Sequence, residues 1–222
     1  MMPFPGGIEN IANGTLIFSV LLAVLYGFAV TRPVSLRRTV VKTGSVALLA
    51  LLAAVEGGPA LLVAALVLSA IGDACLAQDG ERAFLAGLAS FLAGHIAYIA
   101  LFCTTGGGIA EIVSEPSRIV IAVALVAAVA LILTRLWPAI EAGMRPPVAL
   151  YCAAILAMGI SSLSELGPTV VVGAVLFMAS DALLAAGRFL VAPGDMRQAW
   201  LRPAVWTLYF TAQLLLTLSF VL

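Results

Sequence analysis

Eight runs of about 16 to 22 predominantly apolar residues, separated by breaks of charge, proline and glycine, constrain this chain more than any other feature. The hydrocarbon core of a bilayer is about 30 Å thick. At 1.5 Å of rise per residue, roughly 20 apolar residues cross it as a helix, with tolerance for about 17. The runs fall at roughly 15–31, 40–55, 59–77, 83–104, 118–136, 147–164, 168–186 and 203–221. The ten-residue alternation of an outer-membrane barrel is absent. The expected fold is therefore all-α, a polytopic membrane protein with eight transmembrane helices in a single domain over 1–222. Composition agrees. Hydrophobic residues make up 63% of the chain and charged ones 10%, with mean hydropathy +1.17. A soluble domain holds roughly 45–50% apolar and about 25% charged residues.

The cations orient the spans. Arg32, Arg37, Arg38 and Lys42 lie at the first connection and Arg82 at the third. Arg135 and Arg145 flank the fifth, and Arg188, Arg197 and Arg202 the seventh. Ten of the eleven Lys and Arg residues thus fall on one side, and only Arg118 lies opposite, beside Glu111 and Glu115. The positive-inside rule makes the odd-numbered loops cytoplasmic and both termini external. The membrane is expected to be the inner (plasma) membrane if the source is bacterial. The opening MMPFPGGIENIANG has no basic region, so no removable signal peptide is expected. Net charge is zero, which leaves no field for nucleic acid. Cys75, Cys103 and Cys152 are isolated in apolar runs and read as small buried hydrophobes. Gly106, Gly107 and Gly108 read as an external linker.

An internal echo appears at an offset of 108 residues, where LVLSAIGDACLA (66–77) aligns with AVLFMASDALLA (174–185). Apolar matches are cheap in such a chain, but the pairing of Asp73 with Asp181 is not. The spans then read as two four-helix pseudo-repeats in parallel relation. Asp73 and Asp181 are the only carboxylates well inside spans. An ionised Asp in hydrocarbon costs at least about 2.5–3.5 kcal/mol, so each must face a polar interior. Were the two to share one cavity, their proton affinities would separate, giving a proton donor and an ionised partner. Each has a plainer role as a hydrogen-bonder to a neighbouring helix.

Other polar side chains fall in the same cytoplasmic half. Lys42 opens the second span, Tyr151 the sixth, and Tyr209 and Gln213 share a stripe with Trp206 on the eighth. His95, the sole histidine, lies near the middle of the fourth span on a face with Phe91 and Tyr98. Ser69 precedes Asp73 by one turn and Ser180 adjoins Asp181. Nothing in the spacing calls for a metal or cofactor: HExxH, paired-histidine and Cys patterns are absent, and a set of Asp73, Asp181 and His95 has no motif behind it.

The stretch VLSAIGDACLAQDGERAFLAGLASFLAGHIAYIALF (67–102), with VLFMASDALLAAGRF (175–189) and YFTAQLLL (209–216), resembles the YhhN family of membrane proteins, whose members include lysoplasmalogenases. The likeness covers the length, the eight spans and the GD, HxxY, SD and YxxxQ signatures in order. The family has a lysine in its second span, usually followed by proline; here Thr43 follows Lys42. The resemblance implies hydrolysis of the vinyl-ether bond of a lysoplasmalogen to a fatty aldehyde and glycerophospho-ethanolamine or -choline. The partners so implied are a lysophospholipid substrate and membrane lipids.

That chemistry suits the residues. Vinyl ethers hydrolyse by acid: protonation of the carbon β to oxygen leaves an oxocarbenium ion, which water captures. The reaction needs a protonated acid, an anion beside the cation, and room for one water. Asp73 and Asp181 are the expected acid and electrostatic partner in either order. Tyr151, Ser180, Tyr209, Gln213 and His95 are expected to position substrate and water, and Lys42 and Arg188 to meet the phosphate. Two other classes compete. A transporter would explain the repeat and the buried carboxylates, but lacks matched helix breaks. An intramembrane aspartyl protease would explain Gly72-Asp73, but Ala70 replaces the first glycine of its motif.

Overall fold

In a computed structural model describing residues 2–192 and 194–222, the described chain folds into α-helices with no strand. The helices are α1 (Ile11–Ala29), α2 (Leu36–Val55), α3 (Ala60–Leu76), α4 (Glu81–Thr105), α5 (Gly108–Ser114), α6 (Pro116–Leu136), α7 (Arg145–Ser162), α8 (Pro168–Phe189) and α9 (Gln198–Val221). Short 3-10 turns at Trp137–Ala139 and Ala142–Met144 join α6 to α7. All of these helices except α3 and α5 are long and apolar enough to cross a membrane, so seven candidate spans are present. Apolar α3 has 17 residues and α5 only 7.

Local chemistry sets the helix starts. The Asn10 side chain accepts a hydrogen bond from Ala12 N–H (2.7 Å), and the Ser35 hydroxyl accepts one from Arg38 N–H (3.3 Å). Each supplies a donor at a helix start with an acceptor that the helix itself lacks. Pro116 and Pro168 open α6 and α8, where a missing N–H costs nothing. Two expectations require correction. The last helix begins at Gln198, five residues before Pro203, because Gln198 Nε2 anchors its start on the Gly187 carbonyl (2.9 Å) and Leu201 N–H bonds to Arg197 O (3.0 Å). Pro203 is absorbed in the second turn. The glycine run is not merely a linker either, since Gly108, at φ +67°, turns the chain into α5.

The chain divides into two compact units. The first comprises residues up to Tyr98 together with Gln213–Leu222; the second is Ile99–Ala212.

In the first unit, Asn13 ties the N-terminal loop onto α1. Its amide accepts from Phe4 N–H (3.2 Å) and donates to the carbonyls of Phe4, Gly6 and Gly7 at 3.0 to 3.1 Å. This seats Phe4 against Ala12 and Leu52. Ser19 Oγ donates to Ser45 O (2.7 Å), joining α1 to α2, and Ser45 Oγ donates to Lys42 O (2.7 Å). Helices α3 and α4 approach closely through glycines. A Cβ on Gly72 would stand 2.7 Å from the Phe91 ring, and one on Gly87 2.7 Å from Leu76.

In the second unit, Arg118 is the hub of the loops at the end of α7. Its guanidinium donates to the Leu163 carbonyl (2.6 Å) and pairs with Glu111 (3.0 Å) and Glu115 (3.3 Å). The cation thus meets the carbonyl end of a helix, the end of the dipole that favours positive charge. Ser164 Oγ donates to Phe102 O (3.1 Å) and Gly107 N–H to Ser164 O (3.0 Å), fastening α4 to the α7–α8 loop. Large apolar side chains on α1 (Phe18, Leu25, Phe28) and α6 (Val120, Val123, Leu131) stay exposed, as surfaces facing lipid require.

Candidate functional site

Asp73 stands three residues before the end of α3 and is 1% exposed. Lys42, in the second turn of α2, brings its Nζ to 2.9 Å from an Asp73 carboxylate oxygen. Both side chains are withdrawn from solvent, so this is a buried ion pair between α2 and α3. Such a pair loses several kcal/mol of hydration per ion and holds only when the geometry is close and other polar groups support it. Part of that support comes from Tyr26 of α1, whose ring centroid lies 5.9 Å from Lys42 Nζ and 5.8 Å from the Arg38 guanidinium carbon. The sequence reading did not single out Tyr26. Its signal was a lone tyrosine in an apolar span, one residue type in a background where polar atoms are rare.

Gly72 and Asp73 act together. Glycine lets the Phe91 ring approach the α3 backbone at the residue before Asp73, so the GD dipeptide is a packing device adjoining a chemical one. His95 is fully buried on α4, in the same unit as Asp73. One turn on, Tyr98 OH donates to Gln213 Oε1 at 2.5 Å, both side chains being fully buried. The HxxY and YxxxQ signatures therefore meet through Tyr98 and Gln213. Gln213 Nε2 is buried with no hydrogen-bond partner among the described residues, as is Ser69 Oγ.

Asp181 of α8 belongs to the second unit and is only half-buried. Tyr151 OH, from the second turn of α7, donates to its Oδ2 at 2.5 Å. Ser180 Oγ donates to Val205 O of α9 (3.0 Å), so its hydroxyl joins two helices. Tyr209 packs edge-on to Phe177 (5.3 Å) and beside Trp206 (5.8 Å). Arg188 lies exposed in the last turn of α8.

The two aspartates share a local plan. Under the 108-residue offset, α3 and α8 start at equivalent positions, Ala60 and Pro168, and each aspartate takes a polar partner from the helix before it. The partners fall one position apart under that offset, lysine in one unit and tyrosine in the other. Among the described residues no three His, Cys, Asp or Glu side chains gather into a metal-binding group.

The first unit also carries a groove of about 500 Å³ along α2 and α3, lined by Ala47, Ala50, Val67, Ala70 and Ala74, with Thr43 and Gln78 at its polar end. Gln78 Nε2 donates to Thr39 Oγ1 there (3.1 Å).

Comparison with known proteins finds a match to the model of the YhhN family over residues 37–220. The chain is 34% identical over 163 residues to the Lysoplasmalogenase of Mycobacterium tuberculosis, covering 72% of this chain and 59% of that protein. It is 34% identical over 159 residues to the human Lysoplasmalogenase TMEM86B, covering 72% of this chain and 62% of that one. The chain thus spans about three fifths of the length of the curated relatives it matches. No solved structure matches it.

Proposed function

The chain belongs to the YhhN family, and from that premise we propose that it is a lysoplasmalogenase, a membrane hydrolase that opens the vinyl ether of a lysoplasmalogen to a fatty aldehyde and a glycerophospho-ethanolamine or -choline. One observation carries the reading: in a chain similar to two lysoplasmalogenases, each of two echoing helices presents an aspartate that a side chain of the preceding helix holds in place.

In this mechanism one aspartate gives its proton to the carbon β to the ether oxygen, leaving an oxocarbenium ion. The other, as carboxylate, stabilises that cation and takes a proton from the water that adds to it. The hemiacetal then collapses: its hydroxyl proton returns to the first aspartate, the second gives the proton it took from water to the departing glycerol oxygen, and the aldehyde is released. We assign Asp73 as the carboxylate, because Lys42 gives it a fixed ammonium partner, and Asp181 as the acid, more open to an arriving lipid. Tyr151 orients Asp181. Tyr209, Gln213, His95 and Ser180 position substrate and water, Lys42 holds Asp73 as the carboxylate, and Arg188 contributes positive charge toward the headgroup. The groove along α2 and α3 receives a single alkyl chain. The topology proposed with this is eight spans, α3 being the eighth at the lower length limit, with both termini outside.

The test is aldehyde release from the purified protein in detergent, given lysoplasmenyl-ethanolamine, beside Asp73→Asn and Asp181→Asn. The reading requires aldehyde from the parent and a loss of at least about a hundredfold in each variant. A folded, monodisperse parent that releases none would end it.

A further inference from the structure

Lys42 is committed to Asp73, so that pair carries no net charge toward a phosphate. Arg38, one turn earlier on the same face of α2, is different. Its guanidinium has no carboxylate within ion-pair distance among the described residues, and its Nε is buried with no acceptor. Its one side-chain hydrogen bond runs from Nη2 to Tyr26 OH at 3.5 Å, and its Cζ lies 5.8 Å from the centroid of the Tyr26 ring. Two cations thus flank one tyrosine, and of the two only Lys42 has a carboxylate partner among the described residues. A buried guanidinium N–H without an acceptor is costly to maintain, and a planar fork held by an aromatic ring is suited to a phosphate.

We propose that Arg38 is the phosphate-binding residue of this protein, holding the headgroup phosphodiester of a single-chain lipid while the reacting bond lies one helical turn deeper at Asp73. The assignment rests on the lysoplasmalogenase reading for the identity of the lipid. The spacing supports it. Four residues of helix separate Arg38 from Lys42, about 6 Å of rise, which is about the distance that a glycerol puts between its phosphate and its first ether oxygen. Arg38 also lies on the side of Lys42 nearer the start of α2 and the Arg32–Arg37 segment, where a headgroup would meet water. The Lys42 ammonium is then a partner for Asp73 and not a phosphate ligand.

Two readouts test this. In the first, hydrolysis of lysoplasmenyl-ethanolamine is compared with that of the same alkenylglycerol lacking phosphate. Arg38→Gln is expected to lower the preference for the phosphorylated substrate by about tenfold or more, through KM. Arg38→Lys is expected to keep part of it, and Arg37→Gln, an exposed neighbour, to leave it as in the parent. An unchanged preference in Arg38→Gln overturns the proposal. The second readout needs no turnover: the rise in melting temperature given by a saturated 1-alkyl-glycerophosphoethanolamine, by 1-alkylglycerol and by inorganic phosphate. The parent is expected to respond most to the phospholipid and Arg38→Lys more than Arg38→Gln. Equal responses to both lipids, or to inorganic phosphate alone, overturn it. If the parent releases no aldehyde yet shows this pattern, the hydrolase reading falls and the phosphate site stands.

Discussion

Lys42 Nζ and an Asp73 carboxylate oxygen lie 2.9 Å apart, on neighbouring helices, with hardly any surface open to solvent. A chain with so few charges places two of them where ionic hydration is lost, and the pairing is what makes the aspartate tolerable there.

Removing one partner should therefore cost more than removing both. Lys42→Met alone is expected to destabilise the protein by about 3–5 kcal/mol, and Asp73→Asn added to it should recover part of that. Thermal unfolding of the single and double variants in one detergent checks the sign; equal losses would show that the pair is not coupled.

Tyr151→Phe removes the hydrogen bond to Asp181 while keeping the ring. Stability should change by about 1 kcal/mol. Under the proposed mechanism, turnover should fall about tenfold or more, because an unpositioned carboxyl transfers its proton less well. The expected split is a lower kcat with KM nearly constant.

Gly72→Ala would drive a Cβ into the Phe91 ring. Overpacking of this kind costs about 1–3 kcal/mol. A companion substitution that shrinks the ring, Phe91→Leu, should restore part of the lost melting temperature, and its failure to do so would place the strain elsewhere.

Tyr98→Phe leaves the Gln213 carbonyl oxygen buried without its donor, at a cost of about 1–3 kcal/mol. Gln213→Leu in the same background should be less damaging than in the parent, since no polar pair then remains to be broken.

Ala47→Leu and Ala74→Leu narrow the groove along α2 and α3. If it seats the alkyl chain, activity on long-chain substrates should fall more than on short ones. A uniform loss across chain lengths would remove the groove from the proposed binding path.

The sequence by itself determined the helical class and the approximate limits of the long helices, and it singled out Asp73 and Asp181 as candidates. Hydrophobic length and the cost of charge in hydrocarbon are local quantities, readable in one dimension. Even Arg118 was placed correctly beside Glu111 and Glu115, because those contacts are near in the chain. Proline and glycine misled where context decides: Pro203 sits inside α9 because a glutamine anchors the turn before it, and Gly108 begins a helix. Partner choice was out of reach. That Lys42 turns to Asp73, that Tyr26 serves two cations and that Arg38 has no carboxylate partner among the described residues depend on how α1, α2 and α3 pack. Side chains from separate helices meet only when tertiary contacts fix the rotation of each helix about its axis, and no run of residues encodes that rotation alone.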